Sequence, residues 1–151
     1  MKKIIALIII LSFSVNGSHA QTEQDKQGVT RAMLDYIEGF YEGDTIKLRR
    51  SVADSSVKYG YWKDNKSNRY AGEAMSHKEM MDYAIGVKAK NRQRKLTPLE
   101  KTQIFEIQES VASGKVTAWW GIDYILLEKI NNKWMIRMVL WQGPIGTIKN
   151  V

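Results

Sequence analysis

The 151-residue chain has no cysteine, two histidines and two prolines. Without cysteine it forms no disulfide, so stability must come from packing even in a compartment where disulfides would persist. The shortage of histidine excludes more. His19 falls in a leader segment, which leaves His77 alone in the remainder. A catalytic zinc usually takes three histidine or carboxylate ligands, and a nucleophilic serine needs a base to activate it. Neither set of parts is present, so no metal site, no cofactor and no catalytic triad is expected. The glycines are scattered as well. Gly39, Gly43, Gly60 and Gly72 do not stand between a strand and a helix in the spacing of a phosphate-binding loop, which removes support for nucleotide hydrolysis.

Long hydrophobic runs are also missing. Crossing a bilayer takes about twenty consecutive apolar residues, and the run from Ile4 to Phe13 is far shorter. It follows Lys2 and Lys3 and precedes Ser18-His19-Ala20. A charged start, a short apolar segment and small residues before a cleavage point make a secretory signal peptide over residues 1–20, cut after Ala20. With no cysteine there to carry a lipid, the exported chain has no membrane anchor and is placed in the periplasm or outside the cell. Residues 21–151 then form a single domain.

Loss of two lysines with the leader lowers the net charge from +7 to +5. Much of the excess is in Lys88, Lys90, Arg92, Arg94 and Lys95, a run with no aromatic residue between them. Readers of nucleic acid add stacking aromatics or a recognition helix to such a run, so no nucleic-acid partner is expected. A solvated loop is the plain interpretation, and a basic rim that steers anionic ligands toward a pocket is the other.

What the chain does have is an apolar ribbon from Trp119 to Trp141, broken only at Asn131-Asn132. Asparagine tolerates positive φ, so the pair predicts a hairpin turn. With Ile130 facing Lys133, the regular register sets Leu126 opposite Arg137, Tyr124 opposite Val139 and Ile122 opposite Trp141. One face then carries Ile122, Tyr124, Leu126, Glu128, Met135, Arg137, Val139 and Trp141. The other carries Ile125, Leu127, Trp134, Ile136, Met138 and Leu140 with a single carboxylate, Asp123. A sheet apolar on both faces must be covered on both, by helices on one side and by a second copy of the chain on the other.

Earlier segments supply the helices. Val29, Met33, Tyr36, Ile37 and Phe40 line one face of a helix from Glu23 to Tyr41. Gly43 can end it, and Asp44 can cap a second short helix bearing Leu48 and Val52. Val57 to Trp62 alternates as a strand, with Arg69-Tyr70 returning beside it. Ser76 with Glu79 is a capping box for a third helix containing Met80, Ala84 and Val87, and His77 reads as a helix-terminus residue. After a loop at Thr97-Pro98, strands follow at Gln103–Glu109, Val111–Trp120, Ile122–Ile130 and Lys133–Trp141. The fold class is α+β, with three helices in the N-terminal half packed on a curved antiparallel meander.

That order resembles the nuclear transport factor 2-like, or cystatin-like, cone. The stretch Asp35 to Asp44, Trp120 with Asp123-Tyr124, and Lys133-Trp134 through Val139-Leu140-Trp141 are similar to small bacterial proteins catalogued as SnoaL-like or "putative lumazine-binding". The resemblance covers about Gln27 to Trp141 and implies a helix-lidded cone that holds a small organic molecule. Met138 stands where such relatives often carry a polar residue.

The candidate ligand-binding residues are Tyr36, Phe40, Trp62, Tyr83, Trp119, Asp123 and Met138, suited to a flat or aromatic ligand, with plain core packing as the alternative for the aromatics. Asp123 is the one catalytic candidate. On an apolar face it either accepts a hydrogen bond from a helix tyrosine such as Tyr36, or acts as a base. Two functions follow: a non-catalytic binding or accessory domain, which the missing catalytic parts favour, or a cofactor-independent isomerase, cyclase or dehydratase using Asp123 and a tyrosine hydroxyl.

Overall fold

A computed structural model describes residues 23–97 and 100–143; the expected leader lies outside these residues, and so does the tail from 144 onward. Helix α1 (residues 23–42) buries Val29, Met33, Tyr36, Ile37 and Phe40, the set that the helical spacing selects. Gly43 ends it at φ 70°. Asp44 then caps α2 (Thr45–Ser51), accepting from the backbone N–H groups of Ile46 and Lys47. Helix α3 (His77–Ala89) begins with the expected reciprocal bonds between Ser76 and Glu79.

Six strands follow the order β2-β1-β6-β5-β4-β3 in one sheet. They are β1 (Val52–Lys63), β2 (Tyr70–Met75), β3 (Lys101–Ile107), β4 (Val111–Ala118), β5 (Gly121–Ile130) and β6 (Lys133–Gln142). Strand β1 lies parallel to β6 and every other pair is antiparallel, so the sheet is mixed rather than a pure meander. Val52, expected on the second helix, instead begins β1. The three helices cover one face of the sheet, and their apolar sides close the core with Val116, Ile125, Leu127, Trp134 and Ile136.

The β5–β6 turn forms as expected, with Asn131 and Asn132 at φ 48° and 63° and Ile130 opposite Lys133. The regular register does not persist. Leu127 faces Ile136, but Leu126 faces Met138, because Arg137 is an extra residue in β6. Such a bulge moves every later side chain to the opposite face. Tyr124 therefore faces Leu140 rather than Val139, and Ile122 faces Gln142 rather than Trp141. Val139 is buried and Trp141 packs against the core, while Met138 and Leu140 point outward. Asp123 keeps its expected inward position, since β5 itself is regular.

Strand β1 is irregular at the same level. Val52 pairs with Ile136 and Val57 with Met138, so four residues of β1 stand against Arg137 alone. The Arg137 guanidinium fills this gap, donating to Ser55 and pairing with Glu128 at 2.5 Å.

Beyond the two irregularities the outer face of β1, β6 and β5 carries two apolar rows. Val57, Met138 and Leu126 form one row across β1, β6 and β5, and Tyr59, Leu140 and Tyr124 form the next. All six are exposed, as are Tyr61 and Ile122 in the row after.

Candidate functional site

The inner face of β1 carries Lys58 and Gly60, not the apolar Val57, Tyr59 and Tyr61. Lys58 is a lysine inside a core, and burying an ammonium is expensive unless it is paired. Its two polar partners come from α1 and β5. Nζ donates to the Tyr36 hydroxyl of α1 at 2.5 Å and lies 3.5 Å from Asp123 Oδ2 of β5. Tyr36 in turn donates to Asp123 Oδ2 at 2.5 Å, and Trp120 Nε1 donates to Asp123 Oδ1 at 2.9 Å. Each carboxylate oxygen is thereby satisfied, and Asp123 and Tyr36 are both 0% exposed.

Four aromatic rings surround the same ammonium. Nζ stands 4.8 Å from the ring centre of Phe40, 5.1 Å from Tyr36, 5.7 Å from Trp120 and 5.9 Å from Trp141. Ring faces are electron-rich, so they replace part of the lost hydration. Burial pushes the Lys58 pKa below the ordinary lysine value, with Asp123 opposing the shift. For Tyr36, burial and then the charge and hydrogen bond of Asp123 all push the pKa well above its ordinary value. The hydroxyl is thus a fixed donor to the carboxylate.

A cavity of about 260 Å³ opens above Lys58. Phe40, Tyr83, Trp119, Trp120 and Trp141 form its aromatic walls, Met75 adds an apolar contact, and Glu73 and Glu79 reach it from β2 and α3. The rings meet mostly edge to face, with Phe40 5.7 Å from both Tyr83 and Trp120. Beside the cavity-lining Trp119, Tyr41 ties three segments together. Its hydroxyl accepts from the Trp119 backbone N–H at 2.9 Å and donates to Glu100 at 3.0 Å, while its carbonyl accepts from Arg94 N–H at 2.8 Å. The Arg94 guanidinium stacks on Trp119, 4.4 Å from the ring centre. Part of the basic run therefore packs on one residue of the cavity lining.

Of the residues expected at a site, Phe40, Tyr83 and Trp119 line this cavity. Tyr36 and Asp123 meet each other as a hydrogen-bonded pair directly behind it, screened by Lys58. Two expected residues are elsewhere. Met138 is on the outer sheet face, moved there by the Arg137 bulge. Trp62 lies near the end of β1, partly exposed and away from the cavity lining. Lys58, Glu73, Met75, Glu79, Trp120 and Trp141 are among the lining residues missed. Alternation of the apolar Val57, Tyr59 and Tyr61 with Lys58 and Gly60 would by pattern turn the apolar side inward, and the structure reverses it, burying Lys58 and exposing the three apolar side chains. Among the described residues, no group of three histidine, cysteine, aspartate or glutamate side chains could hold a metal.

Three helices on a six-stranded mixed sheet, with a cavity between the helices and the concave side, define a nuclear transport factor 2-like domain with a cystatin-like fold. Solved structures share it. An NTF2-like protein of unknown function from Shewanella baltica aligns with a TM-score of 0.58 and 18% identity, covering 82% of this chain and 96% of its own. One from Silicibacter pomeroyi aligns at 0.59 with 12% identity, covering 82% and 98%. An NTF2-like protein from Novosphingobium aromaticivorans aligns at 0.60 with 8% identity, covering 87% and 90%. Residues 24–142 match the family described as "Putative lumazine-binding", and the chain belongs to that family. No curated protein matches the chain.

Proposed function

We propose that this protein is an exported, non-catalytic binding domain that holds a flat small organic molecule in the aromatic cavity. The cavity wall carries this reading: five aromatic side chains surround a space of about 260 Å³ whose floor is a buried ammonium. Apolar walls with a few placed polar groups are the general form of a small-molecule site. The family description points to the same kind of ligand. Asp123 and Tyr36 satisfy each other behind Lys58, which favours binding over acid–base catalysis by that pair. Export rests on the charged, apolar and small-residue sequence of residues 1–20.

We further propose that the domain is a homodimer through its outer sheet face, where eight exposed apolar residues of β1, β5 and β6 adjoin. Patches of this kind on a lone subunit usually mark an interface.

The test of the ligand reading is mass spectrometry of small molecules released on denaturing the native-source protein, together with tryptophan emission titrated with flat aromatics. A protein that releases nothing and whose emission is unmoved would overturn it.

A further inference from the structure

The aromatic cavity is polar at its two ends, and the two ends differ in sign. At the floor, the Lys58 side chain is only 7% exposed. An ammonium has three N–H donors. One bonds Tyr36 and one is directed at Asp123, so a third remains for the cavity that Lys58 lines. At the rim the groups are acceptors. Glu73 and Glu79 are both exposed and both line the cavity. Glu79 is held in place there, accepting from the Ser76 backbone N–H at 2.7 Å and from the Ser76 hydroxyl at 2.6 Å. These bonds hold its carboxyl below the ordinary glutamate pKa, so it is ionised at neutral pH.

A flat molecule entering this cavity meets ring faces along its length, a donor at its inner tip and carboxylates at its outer edge. We propose, building on the binding function above, that the site selects an aromatic ring system with an acceptor oxygen at the leading end and an N–H or amine nitrogen at the trailing end. A purely anionic ring system is disfavoured, because the charge of Lys58 is already balanced by Asp123 and the rim is acidic. A purely cationic one is disfavoured too, since its charge would meet Lys58 if it entered nitrogen first. Depth and orientation are thus selected together: only one way of inserting a two-ended ligand satisfies both polar sets.

Four naphthalene probes separate the two ends: 6-amino-2-naphthoate, 2-naphthoate, 2-naphthylamine and 2-methylnaphthalene, each titrated calorimetrically against the full folded protein. The two-ended probe should bind at least about tenfold more tightly than either one-ended probe, the scale of one hydrogen bond to a charged group. In the Glu73→Gln/Glu79→Gln variant that advantage over 2-naphthoate should vanish. Glutamine is accepted at the third position of a capping box, so α3 is retained. In Lys58→Met the advantage of the two-ended probe over 2-naphthylamine should vanish; if that variant fails to fold, the rim variant decides alone. Equal binding of all four probes, or an advantage that survives the rim substitutions, overturns the two-ended site and leaves the aromatic binding function standing. Binding of none overturns both.

Discussion

Trp141 packs directly over Gly60, its partner across the β1–β6 ladder, so closely that a Cβ at residue 60 would stand 1.7 Å from the indole Nε1. Glycine is required there for space. The same indole is a wall of the cavity and stands 5.9 Å from the Lys58 ammonium. The absence of a single side-chain carbon at one strand position thus shapes the site.

Gly60→Ala should therefore displace Trp141 from the cavity wall. Overpacking of this kind costs about 1 to 3 kcal/mol, and flat-ligand binding should weaken with it. Thermal denaturation and tryptophan emission check both effects. A variant with wild-type stability and unchanged emission would contradict the packing described.

The buried Lys58–Asp123 pair should be strongly coupled. Asp123→Leu leaves an ammonium without its counter-ion and should cost about 3 to 5 kcal/mol. Asp123→Asn keeps the bonding positions without the charge and should fall between this variant and wild type. Lys58→Met added to Asp123→Leu should recover most of the loss, because removing both charges removes the burial cost. Urea denaturation of wild type, Asp123→Leu, Lys58→Met and the double variant closes the cycle; an additive double variant would mean that the two groups do not interact.

Acid should destabilise the fold through Asp35. Burial alone would raise its pKa, but hydrogen bonds from Arg50 and Arg31, with their charges, outweigh burial and hold it below the ordinary 3.8. Since the native carboxyl binds its proton less tightly than the unfolded one, unfolding takes up a proton in this range. The stability contributed by the ion pairs is fully present above pH 3.8 and is lost as pH falls through the lower native value. Asp35→Asn should be less stable than wild type at pH 7 and should show a flatter acid limb. Equal slopes below pH 4 in denaturant titrations would refute this.

The outer face gives the most direct assembly test. Leu140 lies between Tyr59 and Tyr124 in the middle of the exposed apolar rows. Leu140→Glu should convert a dimer to a monomer in sedimentation without loss of the fold, because the side chain is exposed in the single subunit. Wild-type protein that is monomeric at micromolar concentration would sink the dimer.

Export is checked by N-terminal sequencing of the mature protein, which should begin at Gln21. Material from outside the cytoplasm that begins at Met1 would refute the leader.

Local rules determined a good part of this molecule from sequence. The helix face from Val29 to Phe40, the Asp44 cap, the Ser76–Glu79 box and the Asn131-Asn132 turn each depend on residues within a few positions of one another. The Tyr36–Asp123 bond was also legible, because a lone carboxylate on an apolar strand face must find a donor and the helix lid offered a tyrosine. Facing along β1 and the second half of β6 was not legible. The second half of β6 is apolar on both sides, so period-two alternation has no preferred inside there, while in β1 the alternation favours an apolar inside that the structure reverses, both strands being irregular where Arg137 bulges. That bulge carried Met138 out of the site and Val139 and Trp141 in. Lys58 became the floor of the cavity for the same reason: only the assembled sheet brought the one carboxylate and the ring faces that make a buried ammonium tolerable to the strand that bears it.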